Sequence, residues 1–358
     1  MNLSDWTDSG GPSHFRVEPV NPLAGPDWDH LVRTHPDAGF FHSSAWAKVL
    51  AGTYQHKPFY LCFSQDGKTV ALLPLLEVAS ALTGRRGVCL PFSDSCSPLL
   101  FPGVEILALR RAVGALARER KWRHAEFRGE FRLATEVRLP GTFYGHALDL
   151  RAGAEGLFSR FTGSVRRAIR KGEASGLTVN VERTPEALEE FTSLHVLTRK
   201  RHGVPPQPRR FFTQIYQQII RPGLGFVVLA RRGTTPVAGA IFFVWGDKAI
   251  YKFGASDQSE QSLRGNNLVM WEAIRFLAQS GVQQLDFGRT AFEHEGLRRF
   301  KLGWGTTERT ITYCRFETKS QACVAVSPHH PGISSRLFSH MPAVANQVAG
   351  HLLYPHLD

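Results

Sequence analysis

The chain has 358 residues, 42% of them hydrophobic and 21% charged, which is enough for a sizeable core and long enough that two domains are expected. Lys and Arg total 43 against 31 acids, a formal charge of +12 that favours anionic partners such as nucleic acid, phosphate-bearing small molecules or an anionic membrane face. The five cysteines (Cys62, Cys89, Cys96, Cys314 and Cys323) are odd in number and scattered, with no C-x-x-C, which argues against a zinc site and a disulfide framework.

In chain order, the stretch to about Ser13 is polar, Gly-rich and expected to be loose, with no basic flank or apolar run of a signal peptide. "FRVEPV" reads as a strand. "DWDHLVRTH" and "SSAWAKVL" read as short helices, the second capped by Ser43 or Ser44. "HKPFYLCF" and "TVALLPLLEVAS" form a hairpin about Asp66-Gly67. The loop "LPFSDSCSPLLFPG", the helix "EILALRRAVGALARERK" and the strand "HAEFRG" follow. Next, "FTGSVRRAIRKGEASGL" reads as a helix capped by Thr162 or Ser164. Arg166 with Arg170, and Arg167 with Lys171, fall at i, i+4. Like charges at that spacing repel, so the helix either faces water or meets an anion.

The second half repeats the order of hairpin, helix and strand. "GFVVLARR", "PVAGAIFFVWG" and "KAIYKFGAS" are strands, "GNNLVMWEAIRFLAQSG" is a helix closed by Gly281, and "QLDFG" is a strand. This order predicts an α/β protein with the domains 15–150 and 151–318 between a loose 1–14 and a tail, 319–358, helical in part. Apolar tail positions from Ile333 and Leu337 to Leu352 recur at helical spacing around Pro342, and docking on the body is preferred to a membrane surface. No apolar run approaches the roughly 20 residues that cross a bilayer. A reducing cytoplasm is the expected compartment, with contact at the inner membrane face left open. His329, His330 and Pro331 lack metal-ligand spacing, and no metal is expected.

"VAGAIFFVWGDKAIYKFGAS", "GNNLVMWEAIRFLAQSG", "QLDFGRT" and "GLRRFKLGWG", in that order, resemble the C-terminal half of the FemAB-like branch of the GNAT acyltransferase superfamily. "VRRAIRKGEASGLTV", "LHVLTRKRHG" and "FFHSSAWAKVL" resemble segments that the family carries upstream. More narrowly, the chain looks like FemAB-related proteins of exopolysaccharide and exosortase systems. The resemblance implies two tandem GNAT-like domains, each a mixed sheet flanked by helices, with a cleft between them. It implies acyl transfer to a primary amine. The donor would be an aminoacyl-tRNA or an acyl-CoA, with no tightly bound cofactor, and the acceptor a phosphate-bearing envelope or glycan precursor. Lys48 and Arg201 match cations that the family places near the precursor's phosphates. Tyr251 matches a tyrosine facing the cleft. Lys301 matches the F-K-x-x-(aromatic)-G lysine at the donor end, with Arg299 and Trp304 beside it on the substrate.

Arg grips phosphate bidentately, and a cation can stabilise the oxyanion of a tetrahedral intermediate, which suits Lys301. Read without the resemblance, Lys301 is an ordinary surface lysine beside two core aromatics. The base that relieves the amine of its proton is sought among Asp94, Asp286 and His294; the alternative reading of Asp286 is that it caps a turn or holds an Arg. The pyrophosphate loop of GNAT enzymes, R/Q-x-x-G-x-G/A, is replaced by "LRGNN", in which Arg264, Gly265 and Asn266 still head a helix that can receive an anion. That departure leaves a second reading open, a non-catalytic GNAT-like module binding an anionic glycan precursor or RNA.

Overall fold

The computed structural model describes residues 15–25, 27–129, 142–326 and 338–357. The N-terminal stretch read as loose, His329–Pro331, and the tail positions Ile333 and Leu337 lie outside the described residues. The described chain divides into two compact units. The first takes residues up to Thr142, those from Ile311 to Val326 and those from Leu353 on; the second takes Phe143–Thr310 and residues 338–352. The division between the units falls between Thr142 and Phe143.

The first unit opens with β1 (Phe15–Val20), α1 (Asp27–Arg33) and α2 (Ser44–Tyr54). Ser43 caps α2, its hydroxyl accepting from the Trp46 amide at 3.5 Å. Five strands follow: β2 (Lys57–Pro58), β3 (Tyr60–Gln65), β4 (Lys68–Leu73), β5 (Leu76–Ser80) and β6 (Gly84–Val88). Asp66 and Gly67 turn β3 into β4 with φ of 50° and 77°, the left-handed pair that a tight hairpin requires. Then come β7 (Leu99–Leu100), α3 (Ile106–Glu119) and β8 (His124–Arg128). β6 and β8 run parallel across α3. Trp28, Trp46, Tyr60, Phe63 and Phe127 are fully buried and make the core of this unit.

The second unit is built on one seven-stranded sheet. Its elements are β9 (Phe143–Asp149), α4 (Gly153–Arg160), α5 (Gly163–Glu173), β10 (Thr178–Glu182), α6 (Pro185–Arg201) and α7 (Arg209–Ile215). They continue with β11 (Gly225–Arg232), β12 (Thr235–Trp245), β13 (Lys248–Ser256), α8 (Gly265–Gln279), β14 (Gln284–Ala291), α9 (Glu295–Leu302) and β15 (Thr307–Ile311). The sheet order is β10-β11-β12-β13-β14-β9-β15, and β13 and β14 are parallel across α8. The parallel pair with its crossover helix thus occurs once in each unit, which is the repeat of element order expected from the sequence. Gly281 ends α8 at φ 80°. Thr162 precedes α5 but does not cap it: its hydroxyl donates to the Gly303 carbonyl at 3.2 Å, and ties α5 to the end of α9.

The chain then returns to the first unit. β16 (Tyr313–Glu317) pairs with β8, and β17 (Cys323–Ala325) adds at the edge. Two sheets result there, β1-β3-β4-β7 and β17-β16-β8-β6-β5-β2, rather than one. The tail helix, Ala343–Leu353, docks as expected on the second unit. Asn346 is buried on its inner side, and a Cβ on Gly350 would run into the Pro206 carbonyl. Val344, Val348 and Leu352 stay exposed, and Val344 and Val348 line a groove with Leu188, Thr192 and Phe212.

One buried group makes stability depend on pH. His195 stacks among Phe191, Phe212 and Phe253 with ring centroids 5.2–5.9 Å away. Burial, then the Arg199 charge, bring its pKa down to about 3. Burial lowers His146 and His202 as well. An unfolded histidine titrates near 6.5, so below that pH the unfolded chain binds protons that the folded chain refuses. Stability is therefore full above that pH and falls as pH drops, by up to about 1.4 kcal/mol per pH unit for each such proton. A melting series is expected to show a falling Tm from pH 7 to pH 5; a flat or rising Tm would contradict these assignments.

Candidate active site

The site begins with a strand pair that comes apart. β13 and β14 are in register only over Lys248–Ile250 and Gln284–Asp286. Beyond Ile250, β13 carries a bulge: Phe242 faces Tyr251 and Ile241 faces Phe253, which leaves Lys252 as the extra residue. β14 is irregular between Asp286 and Arg289, where the Asp286 carboxylate accepts from the Gly288 amide at 2.6 Å. The two parallel strands separate at their carboxyl ends, which is where open α/β sheets accept ligands.

Small residues form one wall of the gap. A Cβ on Gly239 would stand 2.7 Å from Leu229 Cδ2, and one on Gly254 would collide with the Tyr251 hydroxyl. Glycine at 254 therefore lets the phenol lie across the strand. Burial pushes Tyr251 up to about 12, so at neutral pH it is a hydrogen-bond donor and not a base. Gly254→Ala is expected to swing the Tyr251 ring out of place with little loss of stability, because a side-chain end yields more easily than backbone. A crystal structure of the variant with Tyr251 unmoved would refute this.

Three elements are stitched together at the mouth of the gap. Thr198, near the end of α6, donates its hydroxyl to the Ser256 carbonyl at 3.2 Å and accepts from the Ser256 amide at 3.0 Å. Asn266, in the first turn of α8, donates to Ser256 Oγ at 3.1 Å. This fixes Arg201, one turn beyond Thr198, and His202 on the rim of a cavity of about 240 Å³ that Tyr251, Asn266 and Phe300 also line. Arg201 Nη1 is buried and has no hydrogen-bond partner among the described residues. A guanidinium N–H out of water without an acceptor is costly, and such a group in a native cavity calls for a ligand. Burial first, then the charges of Arg201, Arg199 and His294, hold His202 below its usual pKa, so its imidazole is neutral at pH 7. The α8 N-terminus adds the positive end of a helix dipole.

A family model described as an acetyltransferase (GNAT) domain matches residues 159–302, the stretch that builds this cavity. Residues 159–302 are thus similar to a GNAT acetyltransferase domain. Solved structures show the same fold over more of the chain. FemX is 16% identical, with 82% of this chain and 94% of that one covered at a TM-score of 0.64. The C-terminal domain of a putative lysylphosphatidylglycerol synthetase from Agrobacterium fabrum is 14% identical, with 86% and 92% covered at 0.54. A tandem GNAT protein from the clavulanic acid biosynthesis pathway is 11% identical, with 88% and 100% covered at 0.53. No curated protein matches the sequence. The FemAB-like, tandem GNAT reading of the fold holds.

Of the residues singled out in the sequence, the GNAT domain gathers Arg201, Tyr251 and Asn266 at one cavity. Arg264 and Gly265 stand at the head of α8. Arg264 is left-handed (φ 59°) and exposed; Gly265 is buried, and a Cβ there would press on Ala238 at 3.0 Å. Arg299 is exposed on α9.

Two residues differ from expectation. Lys301 is neither a surface lysine nor an open cation: it is 2% exposed, and its ammonium donates to the carbonyls of Gly288 at 2.8 Å and Arg289 at 3.0 Å. It braces the irregular end of β14. Trp304 is fully buried, its ring 5.0 Å from that of Phe161, so it belongs to the core and offers no face to a ligand. Asp286 holds its turn and pairs with Arg309 at 3.3 Å, the structural role weighed for it. His294 is the exposed residue before α9.

Lys48 and Asp94 belong to the first unit, half-buried. The loop bearing Asp94 is strained, with Leu90 and Phe92 at positive φ (44° and 57°). Trp46 Nε1 braces it on the Pro91 carbonyl at 3.2 Å, and the Tyr313 hydroxyl on the Asp94 carbonyl at 2.8 Å. Sequence reading missed His202, Thr198 and Ser256. The only signal for His202 was its place directly after the basic run that closes α6. No cluster of His, Cys, Asp or Glu able to hold a metal is present among the described residues.

Proposed function

We propose that the protein is an N-acyltransferase that takes an acyl or aminoacyl group from a phosphate-bearing carrier and delivers it to a primary amine of a cell-envelope or exopolysaccharide precursor. The observation that carries this reading is the buried, unpartnered Nη1 of Arg201 at the mouth of the parted strands, beside the head of α8. An anionic carrier supplies the missing acceptor. The lysylphosphatidylglycerol in the name of one structural neighbour agrees with an envelope-directed substrate.

Of the two donors, the aminoacyl-tRNA acceptor end is favoured. Arg167, Arg170 and Lys171 are exposed on α5 and have no ion-pair partner among the described residues. α5 packs on the head of α8, where a Cβ on Gly172 would stand 3.5 Å from the Arg264 carbonyl. Exposed cations on a helix packed against the head of α8 suit a phosphate chain longer than that of CoA.

In the reaction the acceptor amine attacks the acyl carbonyl carbon, and its excess proton passes to the neutral His202 imidazole. The C–N bond forms as the ester C–O bond, or the thioester C–S bond, breaks, and the leaving oxygen or sulfur takes a proton back. Tyr251, protonated at neutral pH, donates to the developing oxyanion. Lys301 serves by holding the end of β14. Arg299, exposed on α9, is assigned to the carrier.

A transfer assay with labelled aminoacyl-tRNA or acyl-CoA and an amino-sugar or peptide acceptor tests this. Amide formation from charged tRNA, abolished at moderate salt, is expected. Transfer from acyl-CoA alone would overturn the choice of donor. Tight precursor binding with no transfer from either would replace the enzyme by a binding module.

A further inference from the structure

We propose that Cys314 and Cys323 form a peroxide-responsive thiol pair in the first unit, in which Cys323 is oxidised first and Cys314 then closes a disulfide onto it. The register of β16 and β17 brings the two together. Cys314 faces Ala325 and Phe316 faces Cys323, so Cys314, Phe316, Cys323 and Ala325 all point to one face of the sheet. Cys314 and Cys323 are the diagonal pair on that face. The two differ in access: Cys314 is 2% exposed, whereas Cys323 is half-buried at the sheet edge.

A cation stands over the same face. The Arg110 guanidinium lies 5.9 Å from the centre of the Phe316 ring and also donates to the Gln321 carbonyl. The hydrogen bond from Cys314 and the charge of Arg110 lower the Cys323 pKa against the opposing effect of burial. The hydrogen bond and burial raise that of Cys314. One sulfur is thus the more accessible and the more acidic, on the face that Arg110 covers, and the other is a sheltered thiol on the same face, the arrangement that makes a cysteine react with oxidants.

The chemistry balances with hydrogen peroxide as oxidant. The Cys323 thiolate attacks one peroxide oxygen and the O–O bond breaks. Cys323 becomes a sulfenic acid, and the departing hydroxide takes up a proton to become water. The Cys314 sulfur then attacks the Cys323 sulfur, loses its proton and displaces the sulfenic oxygen as a second water. Two thiols and one peroxide give one disulfide and two waters. The product staples the edge strand β17 to β16.

Cys62 is an internal reference, because it is equally half-buried but burial raises its pKa. The full-length protein is treated with substoichiometric hydrogen peroxide, its remaining thiols are alkylated, and its peptides are weighed. Cys323 is expected to be consumed at least about tenfold faster than Cys62. The peptides bearing Cys314 and Cys323 should become linked with loss of two hydrogens, reversibly by dithiothreitol. In Cys314→Ser, Cys323 should stop at a sulfenic acid captured by dimedone; in Cys323→Ser, Cys314 should stay unoxidised at the same dose. Equal consumption of Cys323 and Cys62, or sulfenic acid accumulating on Cys323 of the unaltered chain without a link to Cys314, would overturn the proposal.

Discussion

Arg201→Ala is expected to lower kcat/KM for transfer by about tenfold to a hundredfold while leaving the melting temperature unchanged or slightly raised. The two readouts have one cause. Arg201 Nη1 is buried without an acceptor, so the folded chain alone gains nothing from it and bears the cost of its desolvation. Only a bound anion repays that cost, through a charge-assisted bond that a fork-shaped guanidinium makes well. Arg201→Lys keeps the charge and loses the fork, and should fall between the two. A merely structural arginine would behave in the opposite way, with a lower Tm and intact turnover in the surviving fold. Kinetics together with thermal melts on the same preparations separate the cases.

Lys301→Met is expected to destabilise the protein by about 2–5 kcal/mol, because it leaves two buried carbonyls without donors. For a unit of this size that is a fall in Tm on the order of 5–15 °C. The side chain is 2% exposed, and its ammonium is bound by Gly288 and Arg289 at the point where β14 breaks register. The substituted protein should also lose transfer, since the same two residues shape the parted strands. Loss of activity alone would not distinguish a catalytic lysine from a bracing one; the Tm does. A Lys301→Met protein that melts with the parent yet fails to turn over would assign Lys301 to the chemistry after all.

These two residues also show what could be read from the sequence. Local signals carried the elements well. Asp66-Gly67 announced a hairpin, the pair Ser43-Ser44 a helix start and Gly281 a helix end, because each depends on backbone conformation within a few residues. The repeated order of hairpin, helix and strand gave the tandem architecture. Side-chain roles were less legible. Lys301, Trp304 and Arg299 sit in one basic and aromatic run, yet one braces a strand, one is core and one is exposed. On a short helix, which neighbour faces inward depends on where the helix docks, and α9 docks on strands distant in sequence. The parting of β13 from β14 was hidden for the same reason: register between strands is a non-local property, and the Lys252 bulge leaves no compositional mark. A histidine after a basic run reads as surface, and only the fold brings His202 to a cavity shared with Tyr251, Asn266 and Phe300.

The central claim is that the cavity at the parted strands holds the anionic end of the acyl carrier. The most direct measurement is equilibrium binding of an aminoacylated RNA minihelix, and of acyl-CoA, to the parent protein and to Arg201→Ala in parallel. The account predicts binding of at least one carrier, weakened at least about tenfold by the substitution. Absence of binding by both carriers, or equal affinity for the parent and Arg201→Ala, would contradict it.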